Sequence, residues 1–429
     1  MASSETKREQ SEYPLEADET LKLVPDSVQG PTPRSESNSA PKHAQVVEAR
    51  VTTTDAAGAD ALAATKEELH RFVRTFQRNH QRVPRVLVGL SGGVDSSVCA
   101  ALLVESGWDV CGAYMKNWTM DVPGMRCPWA DDLADAKRVA VRLGIDFRVY
   151  DFQEAYKREV VDYLVDEYRA GRTPNPDVMC NQQVKFGLFF DAAQDDGFDY
   201  IATGHYARAS HDPVRLLRAA DTHKDQTYFL YRMSSDAVAH TIFPLGGLLK
   251  TQVRAAAEQR NLSTAHKADS QGICFVGEAG IRDFLSLYVH PQPGPIIDDD
   301  TGETVGYHDG AIFFTIGQRH GLGIGGGRRY RVVRKDMDRN ILYVHDGPLA
   351  PVQDSLLELD RVRWIADVPP QEGACEVRTH HGEKLLAATL LATATTATVQ
   401  LEADHDAVAS GQSVVIYRGQ ECLGGGIVR

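Results

Sequence analysis

Apolar and polar positions along this chain change rhythm three times. From 85 to about 206, short apolar runs alternate with stretches whose apolar residues recur every three or four positions. Arg85-Val86-Leu87-Val88-Gly89-Leu90 reads as a strand, 96–105 as a helix, and Asp109 through Met115 as a second strand. Leu133, Ala136, Ala140 and Leu143 share one face of a helix over 130–143, and a strand follows at 146–151. Tyr156, Val160, Val161, Leu164 and Tyr168 make the apolar face of another helix, and Tyr200-Ile201-Ala202-Thr203 closes the series as a strand. This alternation predicts an α/β domain over 85–239 with a doubly wound, Rossmann-like parallel sheet, which takes its ligands at the carboxyl ends of the strands.

On either side the rhythm is lost. Residues 1–60 are rich in Ser, Pro, Thr, Glu and Ala with few large apolar side chains, which predicts a disordered tail. A helix and linker should occupy 61–84, with Thr65 and Glu68 as a capping box and Leu69, Phe72, Val73 and Phe76 on one apolar face. Between 240 and 348 a helix at 251–260 gives way to Gly- and Pro-rich loops with short strands near Ala311–Ile316 and Ile341–His345, a small central domain. Over 349–429 no helical period survives. Strands at Lys384–Leu391, Ala397–Leu401 and Ser413–Tyr417, separated by turn residues, predict a C-terminal β-barrel.

Composition narrows the class. At 429 residues and 42% hydrophobic, the chain can fill several cores. No apolar run approaches the roughly 18 residues that cross a bilayer, so no membrane partner is expected. A net charge of −13 argues against bulk affinity for nucleic acid but leaves room for a local basic groove. The seven cysteines are scattered and form no C-x-x-C pair, which fits neither a zinc site nor a secreted disulfide framework. A reducing, cytoplasmic setting fits best, and Glu5, Glu9 and Glu12 are unlike an acid-poor mitochondrial leader.

The densest chemical signal is Ser91-Gly92-Gly93-Val94-Asp95-Ser96-Ser97, between a predicted strand and a predicted helix. Glycines let the backbone approach an anion, the serines add hydroxyl donors, and a helix start offers unpaired N–H groups. No Lys follows, so this is not the loop used for γ-phosphoryl transfer. It resembles the pyrophosphate loop of enzymes that consume ATP to AMP. Four further loops carry polar residues that a core does not need. Asn175-Pro176-Asp177 precedes Cys180 at a spacing that puts carboxylate and thiol on one face if a helix begins there; a Pro-rich turn with an N-cap Asp and a packed Cys is the ordinary alternative. Gly204-His205 ends a strand, Lys224-Asp225-Gln226 precedes a Tyr228–Tyr231 stretch that reads as a buried strand, and Asp269–Phe275 holds Cys274. Two cysteines in the loops of an ATP-activating enzyme suggest sulfur chemistry.

The strings MKNW (115–118), AGRTPNPDVMCN (170–181), KFG (185–187), DYIATGHYAR (199–208), KDQTYFLY (224–231), DSQGICF (269–275), GQRHGLGIGG (317–326) and CLGGGI (422–427) follow the loop in order. Together they are similar to the tRNA-specific 2-thiouridylases, and the match runs from about 85 to the C-terminus. The resemblance implies ATP, with Mg²⁺, at Gly89, Leu90, Ser91, Gly92, Gly93, Val94, Asp95 and Ser96, with Met115 and Gly204 along the adenosine. It implies a tRNA bearing a wobble uridine, touched by Asn175, Pro176 and Asp177 at the base and by His205, Lys224, Asp225, Gln226, His380, His381 and Gln412 elsewhere. By the same resemblance Cys274 carries a persulfide supplied by a donor protein, Cys180 is its partner in a transient disulfide, and Asp177 is the general acid/base of a monomeric enzyme. His380-His381 stands where the family usually has a basic and an aromatic residue. The segment after Gly326 is also short, running directly into Arg328-Arg329-Tyr330-Arg331, a phosphate patch or merely solvated charge. It lies within a central domain (240–348) that the resemblance implies binds tRNA. The rival readings are an amidating ligase of the same loop class, which needs no paired cysteines, and a tRNA-binding protein without activity.

Overall fold

A computed structural model describes residues 54–121, 127–269, 280–325, 327–347, 355–402, 405 and 408–429. The first sheet contains β1 (Arg85–Gly89), β2 (Asp109–Lys116), β3 (Asp146–Asp151) and β4 (Tyr200–Ala202). A hairpin, β5 (Arg208–His211) and β6 (Val214–Leu217), then leaves it before β7 (Thr241–Ile242) returns. The order is β3-β2-β1-β4-β7 with every pair parallel. Val86, Leu87 and Val88 are fully buried, as a central strand covered on both faces must be. Helix α1 spans Thr54–His80 and helix α2 spans Val94–Glu105; Val98 through Leu103 are inaccessible, so α2 is apolar nearly all round. Helix α3 (Trp129–Leu143) ends at Gly144 in the left-handed conformation, φ 66°.

Two expectations for the N-terminal region need correction. Residues 54–60 belong to α1 rather than to a disordered tail, and Thr65 lies inside that helix rather than capping it. The cause is the alanine-rich stretch 56–64, six alanines in nine residues, which propagates a helix at little entropic cost. The predicted face does pack: Leu69, Val73 and Phe76 are buried and Phe72 stacks on Trp108 at 5.1 Å. Residues 1–53 lie outside the described part.

The central sheet holds β8 (Gly294–Asp298), β9 (Thr304–His308), β10 (Tyr330–Asp336) and β11 (Ile341–Asp346) in the order β10-β11-β8-β9. The strand expected at Ala311–Ile316 is instead a single 3₁₀ turn, Ala311–Phe313. Its three buried side chains fill the core from a turn held by Asn340, whose Oδ1 accepts the Ala311 N–H at 2.9 Å. The apolar stretch after Gln226 is likewise a helical turn, Thr227–Leu230, and not a buried strand. Asp225 captures the Thr227 hydroxyl at 2.9 Å, the local bond an Asp uses to start a turn.

The last domain is a closed six-stranded barrel. Strands β12 (Leu356–Trp364), β13 (Gly373–Arg378), β14 (Leu386–Ala392), β15 (Ala397–Leu401), β16 (Ser413–Arg418) and β17 (Glu421–Val428) run in the order β12-β15-β14-β13-β16-β17, and β12 pairs with β17 to close the ring. β15 shows the alternation such a wall requires, with Ala397, Val399 and Leu401 inside. The β5–β6 hairpin of the first domain continues this sheet, with Leu217 opposite Glu421 and Leu216 opposite Cys422. Beside that seam Asp225, 1% exposed, faces Arg378 at 3.1 Å and Arg218 at 3.6 Å. The Tyr228 hydroxyl donates toward Thr379 and Ser413 carbonyls, and Tyr231 toward the Ser413 hydroxyl. Thr52–Arg429 form one compact unit.

Candidate active site

The chain turns from β1 into α2 through Leu90, Ser91, Gly92 and Gly93 at the carboxyl end of the sheet. Gly92 has φ 76°, and a Cβ there would lie 2.4 Å from the Asp132 carbonyl oxygen, so both conformation and space demand glycine. The Ser96 hydroxyl donates to the Gly93 carbonyl at 3.1 Å and accepts the Ser91 N–H at 3.2 Å, while Ser97 donates to the same carbonyl at 2.7 Å. A Cβ on Gly204 would stand 2.7 Å from the Ser96 amide nitrogen, which makes the β4 end abut the start of α2. Met115, at the end of β2, lays its ε-methyl against Gly89. The predicted ATP residues thus converge, from Gly89 through Val94 and Asp95 to Ser96, on a narrow cradle at a helix N-terminus. Such a cradle suits a phosphate chain.

Asp95 faces a cluster of opposite charges. Lys250, at the start of the helix Lys250–Gln259, places Nζ 2.7 Å from both Asp95 carboxylate oxygens and 2.8 Å from Asp269. Tyr206 donates its hydroxyl to Asp95 at 2.8 Å. Asp269 also receives Lys224 at 2.9 Å and Arg254 at 2.6 Å. Burial raises the Asp269 pKa, but the hydrogen bonds from Lys250 and Lys224 outweigh it and bring the group to about 2. Three cations oppose two carboxylates here, a surplus that favours an incoming anion. Lys267 binds Asp132 and Asp135 at 2.7 and 2.6 Å and so fixes the helix whose backbone touches Gly92.

The second loop is built differently. Asn175 caps a short helix by accepting the Val178 N–H at 3.3 Å, with Pro176 in the first position where its missing N–H costs nothing. The N-cap is therefore Asn175, not Asp177. From Cys180 to Leu188 the helix widens to a π-helix before Phe189–Asp195 resumes α geometry, a local irregularity often found at functional sites. Cys180 is 3% exposed and sits in an apolar cluster with Tyr156, Val160 and Val184. Asp177 is partly buried, which raises its pKa against the opposing charge of Lys185. Burial also lowers the His205 pKa well below the usual histidine range, and the same Lys185 adds to it. His205 shares a 2.8 Å hydrogen bond with Thr203 and faces the Phe186 ring at 5.6 Å. Gly204–His205 therefore joins the two loops: Gly204 touches the phosphate cradle, and His205 touches the helix that carries Asp177 and Cys180.

The remaining predicted residues spread along the barrel seam. Gln412 donates to the Thr173 carbonyl at 3.1 Å, Thr173 donates its N–H to the Ser410 carbonyl at 3.0 Å, and Gln226 accepts the Tyr206 N–H at 2.9 Å. Lys224 is engaged with Asp269, and Asp225 has its oxygens occupied inside the protein. His380 pairs with Glu383 at 3.1 Å, and exposed His381 lies 4.4 Å from the Phe229 ring. Partial desolvation of the ring against Tyr228 and Phe229, helped by Arg378, lowers the His381 pKa. Cys274 lies outside the described residues. Lys250 lies outside every sequence motif, and Tyr206 and Lys185 sit within GHYAR and KFG with no role evident from sequence; the i,i+4 pair Lys250 and Arg254 was the available signal for a cationic helix face.

An α/β domain with a phosphate cradle between β1 and α2, followed by two β-domains, defines a three-part protein of the pyrophosphate-loop class. Family profiles described as a tRNA methyl transferase HUP domain, a tRNA methyl transferase PRC-barrel domain and an aminomethyltransferase beta-barrel domain match residues 84–278, 282–346 and 354–428. The protein named tRNA-specific 2-thiouridylase MnmA in Enterococcus faecalis is 45% identical over 355 residues, 80% of this chain and 95% of that one. Its Bacillus subtilis namesake is 44% identical over 80% of this chain and 94% of its own, and that of Akkermansia muciniphila 54% identical over 60% and 74%. The chain belongs to the tRNA-specific 2-thiouridylase family, a family of sulfurtransferases. Helix α1 precedes the region the family profiles match. Among the described residues, no helix is long and apolar enough to cross a membrane.

Proposed function

We propose that this protein replaces the C2 oxygen of the wobble uridine of tRNA with sulfur, using ATP. The observation that carries the reading is the junction at Gly204–His205, which puts a phosphate cradle and a carboxylate–thiol turn on neighbouring loops. The cradle from Gly89 to Ser96 holds the phosphates of ATP; Asp95, whose oxygens are engaged by Lys250 and Tyr206, would have to exchange Lys250 to hold Mg²⁺, which would offset phosphate charge. A uracil carbonyl oxygen is a poor leaving group. Its attack on the α-phosphate of ATP releases pyrophosphate and makes AMP the leaving group. The terminal sulfur of a Cys274 persulfide then attacks C2 and displaces AMP. Cys180 attacks the Cys274 sulfur, which releases thiouridine and leaves a Cys180–Cys274 disulfide for an external thiol to reduce.

Asp177 suits the proton work because burial favours its protonated form, the tuning a carboxyl needs to give or take a proton near neutral pH. Asn175 and Pro176 set the backbone against which a flipped base is received. The RNA contacts fall to His205, Gln226, His380, His381 and Gln412, with Lys224 free to exchange Asp269 for phosphate. A persulfide-bearing protein in a reducing cytoplasm supplies the sulfur, and the enzyme acts as a monomer.

Mass analysis of wobble uridines after incubation with ATP, tRNA and a persulfide donor tests the reading. Thiouridine should form with the wild type and not with Cys180→Ser or Cys274→Ser. Thiouridine formed by both variants would refute the cysteine roles, ATP-dependent pyrophosphate release without thiouridine in any of the three would favour the amidating ligases, and absence of pyrophosphate release would leave only a binding protein.

A further inference from the structure

Lys250 is held where an incoming magnesium nucleotide would have to displace it. Its Nζ lies 2.7 Å from both Asp95 oxygens and 2.8 Å from Asp269, and its side chain is only 12% exposed. Among the described residues it is the one cation paired with Asp95, which stands in the first turn of α2. That helix start has no side-chain cap at Gly93, so its opening N–H groups remain available beside the ammonium. The backbone of Lys250 is fixed, because its N–H donates to Asp221 at 2.9 Å. The ammonium rides on a flexible four-carbon stem, 5.8 Å from the centre of the Tyr206 ring. The head can therefore move while the helix stays.

The surrounding charges show which ion pairs can open. Asp269 has two further cations, Lys224 at 2.9 Å and Arg254 at 2.6 Å, so it loses little when Lys250 departs. Asp95 has the Tyr206 hydroxyl besides, at 2.8 Å, and a divalent cation would replace the charge it loses. We propose that Lys250 is a catalytic residue, which leaves Asp95 for the β- and γ-phosphates of ATP and stays on pyrophosphate as that group departs. The inference rests on the ATP reading above and gives it a leaving-group cation. In that step the uridine O2 bonds to the α-phosphorus, and the bond from that phosphorus to the bridging oxygen breaks. The electron pair passes to the bridging oxygen, so negative charge gathers on pyrophosphate beside the ammonium. The N3 proton of the base passes to Asp177, and the ammonium keeps its own. No lysine follows the glycines of the β1–α2 loop. Lys250 brings from a distant helix the charge that other phosphate loops carry within themselves.

Calorimetric titration of the full chain with ATP, AMP and inorganic pyrophosphate, each with magnesium chloride, tests the assignment. Lys250→Met should weaken ATP and pyrophosphate roughly 10- to 100-fold, as loss of a hydrogen bond to a charged group does, and leave AMP within about a factor of two. An equal loss for AMP would overturn the assignment, since Lys250 would then support the cradle and not the leaving group. The same substitution in an Asp95→Asn background separates contact from partnership. A loss that persists there supports the phosphate contact; one that vanishes overturns it, because Lys250 would then act only through Asp95. At saturating ATP, pyrophosphate release in the presence of tRNA should slow roughly 10²-fold, and an unchanged rate would also overturn the proposal. A wild type that binds neither ATP nor pyrophosphate sinks the ATP reading and this assignment together. A wild type that binds both, with Lys250→Met unaffected, sinks this assignment alone.

Discussion

Two neighbouring loops solve the problem of polar groups in a partly buried place in opposite ways. At the β1–α2 loop every charge meets a countercharge: Asp95 and Asp269 with Lys250, Asp269 with Lys224 and Arg254, and Lys267 with Asp132 and Asp135. Around Asn175–Cys180 charge is suppressed, since burial favours neutral Asp177 and neutral His205 and surrounds Cys180 with apolar side chains. A site for a polyphosphate needs charge held in reserve, and ion pairs store it. A site for proton transfer needs groups near neutrality, and desolvation supplies that. The lesson is that two loops joined by Gly204–His205 can be tuned in opposite ways.

The largest expected effect breaks the neutral loop alone. Asp177→Asn should lower thiouridine formation by roughly 10³-fold while leaving ATP affinity within a factor of two or so of the wild type, measured by single-turnover mass analysis and equilibrium nucleotide binding. An equal loss of ATP binding would show that the loops are not independent. Gly92→Ala attacks the charged loop instead. Its Cβ would meet the Asp132 backbone at 2.4 Å, so ATP affinity should fall roughly 10- to 100-fold, an assignment of about 1.4–2.8 kcal/mol.

A smaller effect sharpens the comparison through stability. Lys250→Met leaves Asp95 with the Tyr206 hydroxyl, while Asp269 keeps Lys224 and Arg254, and should cost about 1–2 kcal/mol in urea unfolding. Adding Asp95→Asn should recover part of that loss; a double variant no more stable than the single would refute the pairing. Acidity separates the loops further. His205 is held neutral, so between its lowered folded pKa and the usual 6.5 or so the unfolded chain binds the extra proton. Stability therefore falls as pH drops below about 6.5. Asp269, lowered to about 2, contributes stability above about 4 that is lost as pH falls toward 2. His205→Gln should flatten the upper arm and Asp269→Asn the lower one, in unfolding curves taken from pH 7 to pH 3.

The sequence made the architecture legible wherever period alone decides it. Strand β1 and helix α2 fall where alternation and apolar density put them, and the phosphate loop was visible because glycine at Gly92 has few substitutes. Two short apolar stretches misled. Ala311–Phe313 and Thr227–Leu230 are turns, since a run of three or four buried residues satisfies a core from either geometry and only distant partners such as Asn340 decide. The alanines before Thr65 outweighed a capping signal. At the site, Asp95, Asp177 and Cys180 stood out in sequence, but their environments did not. Lys250 is 155 positions from Asp95 and Lys185 is an unremarkable lysine in a helix, and each matters only through what the fold sets beside it.

The pairing of β6 with β17 has a consequence for anyone dividing this chain. Strand β6 is an edge of the first domain only on paper, because its outer hydrogen-bonding groups are taken by the barrel at Glu421 and Cys422. Cutting before residue 355 would bare that edge, remove Arg378 from buried Asp225 and strip the cover from Tyr228 and Tyr231. An exposed edge beside an unpaired interior carboxylate is a template for aggregation. The nucleotide domain is thus not a portable module, and its soluble production depends on strand β17, more than 200 positions further along the chain.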